Sequence, residues 1–223
     1  MPHQDGQTTP EGKSVLKGAI IPVTPFQQNC LLLWDEATKR GVVVDPGGDV
    51  PRIRAAIEQA GVTVERILLT HGHIDHAGGA ADLREALGVP LEGPDERDRV
   101  LLQGMAAQAR MFGFGARDVL PDRWLKEGDQ IALGDHRLDV LHCPGHTPGH
   151  VAYVNRAARF AIVGDVLFQG SIGRTDLPFG DPAALLRSIT DKLLTLPDDF
   201  AVLSGHGSAT TIGAERDENP FLR

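Results

Sequence analysis

The sequence predicts an α/β protein built from layers of sheet with helices outside them. Three observations carry this. Short apolar, β-branched runs follow one another directly up to Asp45. From there to Leu87, strand and helix patterns alternate. From Gln130 onward, a second set of strands leads into a helix and a last strand. Mixtures of this kind fold as stacked layers around apolar cores. The sheet-then-helix order occurs twice, with no sequence repeat of short period.

Leu16 to Val23 and Asn29 to Trp34 read as strands separated by the Pro22 and Pro25 interruption, and Gly41 to Asp45 as a third that ends at Pro46-Gly47-Gly48. Pro51 to Gln59 has helical periodicity, with Ile53, Ala56 and Ile57 apolar and Gly61 as its stop. Arg66 to Leu69 is a short buried strand, and Ala80 to Leu87 another helix. Pro94 to Arg123 is the least regular part. Arg97 to Met111 reads as a helix, and Met105, Met111, Phe112 and Phe114 follow close together. Apolar residues at helical spacing favour a helix packed on the core over a mobile lid. Strands are expected at Gln130 to Leu133, His136 to His142, Val151 to Asn155, Arg159 to Val163 and Phe200 to Ser204. Asp181 to Thr195 is a helix with Asp181 as N-cap and Pro182 in its first position.

A chain of 223 residues is long enough for one large core. Its composition, 41% hydrophobic and 23% charged, is that of a soluble globular protein. The net charge of −8 argues against a nucleic-acid surface, which needs a basic stripe. No apolar run reaches membrane-spanning length. Residues 1–14 are polar and lack the apolar region of a secretory signal, so they read as a flexible N-terminal tail. The two cysteines, Cys30 and Cys143, form no C-x-x-C pair, which fits a reducing compartment. A cytoplasmic location is the expectation.

The chemistry is concentrated in Thr70-His71-Gly72-His73-Ile74-Asp75-His76, just beyond a strand. His71 and His73 are two apart, so on extended backbone their rings share a side. Imidazole and carboxylate suit zinc, iron and manganese. A chain with 9 His in all does not cluster them this way by accident. His146, Asp165 and His206 each follow a β-run and lie beside glycines that let the backbone turn sharply. Asp45 either supports a metal-binding loop or simply starts the Pro-Gly turn. His142 and His150 flank His146 and read as supporting residues.

Taken together, His71-x-His73-x-Asp75-His76, His146, Asp165 and His206 resemble the metallo-β-lactamase-fold hydrolases, with Asp45 matching the family's first, supporting aspartate. The loop Gly170 to Pro178, the segment Thr211 to Glu215, and Asn219-Pro220-Phe221-Leu222 resemble those of the short bacterial type II glyoxalases, the hydroxyacylglutathione hydrolase-like proteins. The resemblance implies a four-layer αββα sandwich over 15–223 as a single domain. It assigns one metal ion to His71, His73 and His146, a second to Asp75, His76 and His206, and a bridge to Asp165. Two divalent ions are expected, zinc first, with iron or manganese as alternatives. The implied reaction is hydrolysis of a small acyl-thiol by a metal-bound hydroxide that Asp75 helps to orient.

The long glyoxalases' C-terminal helical domain has no counterpart in the seventeen residues after His206, so glutathione recognition does not carry over residue by residue. The main rival is a persulfide dioxygenase, which shares Gly173-Arg174-Thr175-Asp176 and would hold one iron with His71, His146 and Asp165. β-Lactamase and lactonase chemistry are further hydrolytic options on such a scaffold, and a non-catalytic metal-binding protein is the option from another class.

Overall fold

A computed structural model describes residues 14–113 and 115–223. The expected tail, apart from Ser14, and Phe114 lie outside the described residues. Strands β1 (Leu16–Val23), β2 (Gln28–Asp35) and β3 (Arg40–Val44) form an antiparallel meander. Helix α1 (Val50–Ala60) buries Ile53 and Ile57, and Gly61 ends it in the left-handed conformation at φ 64°. It leads to β4 (Thr63–Leu68), parallel to β3. The short α2 (Ile74–Ala77) and α3 (Ala80–Leu87) then precede β5 (Leu91–Glu92), parallel to β4.

The helix expected over Arg97 to Met111 is broken. A 3₁₀ turn at Glu96–Asp98 is followed by α4 (Arg99–Gln103) and α5 (Met105–Phe112), with the break at Gly104. Its apolar residues divide: Met105 is fully buried, as packing on the core requires, whereas Met111 is 80% exposed and Phe112 51%.

The second sheet begins with β6 (Gln130–Leu133), β7 (His136–His142), β8 (Val151–Asn155) and β9 (Phe160–Gly164), paired antiparallel in succession. A small ribbon, β10 (Leu167–Phe168) with β11 (Ser171–Ile172), follows. Asp181 caps α6 (Pro182–Ser188) by accepting the Ala184 amide at 2.9 Å. The last part of that expected helix, Ile189–Leu193, widens into a π turn. Strand β12 (Ala201–Ser204) pairs parallel with β9, and β13 (Thr210–Thr211) and α7 (Ile212–Glu218) complete the order.

Alternation along the strands generates the layers. Leu31, Leu33, Val42 and Val44 of the first sheet meet Ile131, Leu138, Val140, Tyr153 and Ile162 of the second. The opposite faces, Leu32, Val43 and Ile67, pack on Ile53, Ile57 and Leu83 of α1 and α3. Ala152, Val154, Ala161 and Val163 pack on Leu185, Ile189 and Leu193. Each such side chain stabilises the fold by about 1.5–3 kcal/mol when fully buried. The outcome is an αββα sandwich with three apolar interfaces.

One edge of this sandwich collects the turns that matter. It receives the segments after β4, β9 and β12 and the connection from β7 to β8. Backbone bonds lock the two sheets there: Asn29 N donates to Gly205 O at 2.7 Å, and Val151 N to Thr70 O at 2.8 Å.

Candidate metal centre

All seven residues read from the sequence converge at that edge. The metal-binding atoms of His71, His73 and His146 lie within 4.8 Å of one another, as do those of Asp75, His76, Asp165 and His206. Asp165 stands between the groups. Its Oδ1 is 3.2 Å from His76 Nε2, and its Oδ2 is 3.6 Å from His146 Nε2 and 3.7 Å from His206 Nε2.

The local sequence explains how the first segment presents so many ligands. After β4 the chain stays extended through His73 (φ −76°, ψ 153°) and then turns into α2, which carries Asp75 and His76. The rings of His71 and His73 have centroids 4.9 Å apart. Gly205 lets the last segment come close, because a Cβ there would strike the Asp165 carboxylate and the His76 ring.

Most of the imidazoles are held by the nitrogen that faces away from the centre. His146 Nδ1 donates to Arg174 O at 2.8 Å, His206 Nδ1 to Phe26 O at 3.2 Å, and His76 Nδ1 to Asp45 Oδ2 at 2.9 Å. His71 Nδ1 donates to Thr70 Oγ1 at 3.0 Å, and that hydroxyl donates to Asp45 Oδ2 at 2.6 Å. Each bond fixes a tautomer that leaves Nε2 with its lone pair pointing inward, which is how ligating histidines are usually prepared. His73 differs, turning Nδ1 to within 2.9 Å of His146 Nε2. Asp45, whose backbone sits at φ 52°, therefore supports the centre as well as starting a turn.

His71 Nε2 is buried with no hydrogen-bond partner, and His76 Nε2 and Asp165 Oδ1, 3.2 Å apart, face each other outside hydrogen-bond geometry. Leaving a buried polar atom unsatisfied costs about 1–3 kcal/mol, and the clustering of these atoms within the two groups fits cations held there. The protonation preferences divide in the same way. Burial holds His71 and His146 below the usual imidazole range and takes His73 to about 3, so this group is neutral. Burial also acts to lower His76 and His206, but Asp165 and Asp75 outweigh it and raise both. Burial would raise the Asp165 and Asp75 carboxyls, yet the neighbouring His76 and His206 leave both lowered and ionised.

Two supporting residues, Asp98 and Gln108, were not marked by the sequence. Asp98 is fully buried and accepts from Gly72 N, Thr147 Oγ1 and Gly149 N. Gln108 accepts from Ile74 N and donates to Gly72 O, at 3.1 and 3.2 Å. His150, read as a supporting residue, accepts the Asp165 amide on Nε2 at 3.1 Å and stacks on His71 at 4.7 Å. Arg174 forms a two-pronged pair with Asp176, both bonds 2.7 Å.

A set of five histidines and two carboxylates, built from both sheets of an αββα sandwich, defines a metal-binding class of protein. The chain belongs to the metallo-beta-lactamase superfamily, whose family model matches residues 23–206. It is 48% identical over 205 residues to hydroxyacylglutathione hydrolase GloC of Haemophilus influenzae, covering 91% of this chain and 96% of that protein. Among solved structures it superposes on BLEG-1 B3 metallo-beta-lactamase with a TM-score of 0.85 at 38% identity, covering 92% and 99% of the two chains. It also superposes on TTHA1623 in a di-iron-bound form, with a TM-score of 0.83 at 40% identity and coverage of 92% and 100%. The protein is thus a metal-dependent hydrolase by family.

Proposed function

We propose that the chain is a dinuclear thioester hydrolase of the glyoxalase II type, acting on hydroxyacylglutathione or a related acyl-thiol. His71, His73 and His146 hold one ion, Asp75, His76 and His206 the other, and Asp165 contributes to both. The position of Asp165 carries this reading: one carboxylate reaches ligand atoms of both groups within 3.7 Å. The activity of the Haemophilus influenzae relative supports the thioester class.

When bound, such ions act as Lewis acids and lower the pKa of water to about 7. The chain's own residues do the rest. Asp75 Oδ2, 3.1 Å from His206 Nε2, lies at the floor of a cavity and orients the attacking water there. Asp45, Thr70 and the Arg174 carbonyl keep His76, His71 and His146 from rotating. No side-chain acid is required for the leaving group, because a thiol of pKa near 8.5 departs as thiolate.

The test is elemental analysis of the purified protein together with turnover of S-D-lactoylglutathione under added zinc, manganese or iron. Two ions per chain with hydrolysis are expected. A single iron with oxygen uptake on glutathione persulfide would replace the proposal with the dioxygenase reading.

A further inference from the structure

Above the metal-binding groups lies a cavity of about 660 Å³. His73, Asp75, His146, Asp165 and His206 form its floor, and its walls include Phe26, Leu101, Met111, Phe112, Phe168 and Ile172. Leu177 and Pro178 continue the apolar wall toward Arg174. Three polar side chains, Gln108, Ser171 and Arg174, complete the lining described.

Two of these three are already committed. The Gln108 amide donates to Gly72 O and Leu101 O, and its oxygen accepts from Ile74 N, so it is used up in holding loops. The Arg174 guanidinium, exposed to solvent, is paired with Asp176 through two parallel bonds. Ser171 alone among them offers a hydroxyl, and that is uncharged. An ionised group entering among the apolar walls would give up hydration with only the solvent-exposed Arg174–Asp176 pair to offset the loss.

Resting on the thioester-hydrolase reading, we propose that this cavity receives an uncharged, apolar acyl chain, while any ionic part of the thiol stays beyond its mouth. Of the two halves of a thioester, only the acyl half can be free of charge when the thiol is a peptide bearing carboxylates and an amine. The cavity lies within the range that engulfs a drug-sized ligand, and a three-carbon hydroxyacyl group would fill a small part of it. Met111 and Phe112, the exposed end of α5, are placed to cover the far end of a longer chain.

The test uses the full chain loaded with metal and a series of glutathione thioesters: acetyl, propanoyl, butanoyl and hexanoyl, with lactoyl as the hydroxylated match to propanoyl. The value of kcat/KM should rise about fourfold per methylene, with propanoyl above lactoyl. A flat series, or lactoyl above propanoyl, overturns the inference while leaving the hydrolase reading intact. Met111→Ser and Phe112→Ser alter exposed side chains and should flatten the rise, and an unaltered slope in both counts against the proposed chain site.

Binding separates the two readings. S-hexyl-N-acetylcysteamine and S-(2-carboxyethyl)-N-acetylcysteamine are thioethers that cannot be hydrolysed. Calorimetry should show the hexyl compound binding at least tenfold more tightly, and Asp176→Asn, which releases Arg174, should narrow that ratio. If no thioester turns over yet the hexyl preference holds, the hydrolase reading fails and the apolar site stands. Equal binding, or preference for the carboxylate, overturns the site itself.

Discussion

The Asp98 carboxylate accepts the Thr147 hydroxyl at 2.7 Å. Through the same carboxylate, Gly72 N at 2.9 Å and Gly149 N at 2.6 Å are held as well. Gly72 separates His71 from His73, while Thr147 and Gly149 follow His146. One buried anion therefore joins the ligand loop of the first sheet to that of the second, and it does so without touching a ligand side chain.

Replacing that carboxylate by an amide keeps the volume but turns one acceptor into a donor. Three donors then face a single oxygen, and an unmade buried hydrogen bond costs about 1–3 kcal/mol. Asp98→Asn is expected to lower metal affinity by about 10–100-fold, the range seen when partners behind ligands are lost, and to lower the melting temperature. Competition with a chelator reads the first and calorimetry the second. Affinity equal to the parent protein would show that the loops hold their spacing by other means.

The opposite protonation preferences of the two groups predict an order of metal loss. Protons compete with a cation for an imidazole lone pair. His76 and His206 are raised by Asp165 and Asp75 against the effect of burial, so they take up protons first as pH falls. His71, His73 and His146 are lowered by burial and resist protonation until further into acid. Dialysis at successively lower pH should take the metal content from two ions to one before it reaches zero, the remaining ion sitting with the three histidines. Simultaneous loss of both, or retention of metal by the Asp75, His76 and His206 group, would contradict this.

The sequence made much of this arrangement visible because ligands must be particular residue types at the ends of strands. His71, His73, Asp75 and His76 announce themselves by density, and His146, Asp165 and His206 by a β-run before and a glycine beside. Strand alternation and the Asp181 cap were equally legible, since both are local. Asp98 was not. Its only sequence context is the Asp95-to-Asp98 stretch at a helix start, where an aspartate ordinarily caps or stays solvated, and its burial is decided by Thr147 and Gly149 about fifty positions away. Gln108 is hidden for the same reason. The split fate of Met105 and Met111 was hidden as well, because Met105 packs into the core while Met111 borders the cavity, a division no periodicity reveals.

The dinuclear reading rests on Asp165 reaching ligand atoms of both groups. The most direct measurement is metal content per folded chain, for the parent protein and for Asp165→Asn, with circular dichroism as the check on folding. The parent should hold two ions and hydrolyse the thioester, and the variant should lose most of its metal and most of its turnover while remaining folded. A folded parent that never takes up more than one ion, or an Asp165→Asn variant with full metal and full turnover, would contradict the bridging role.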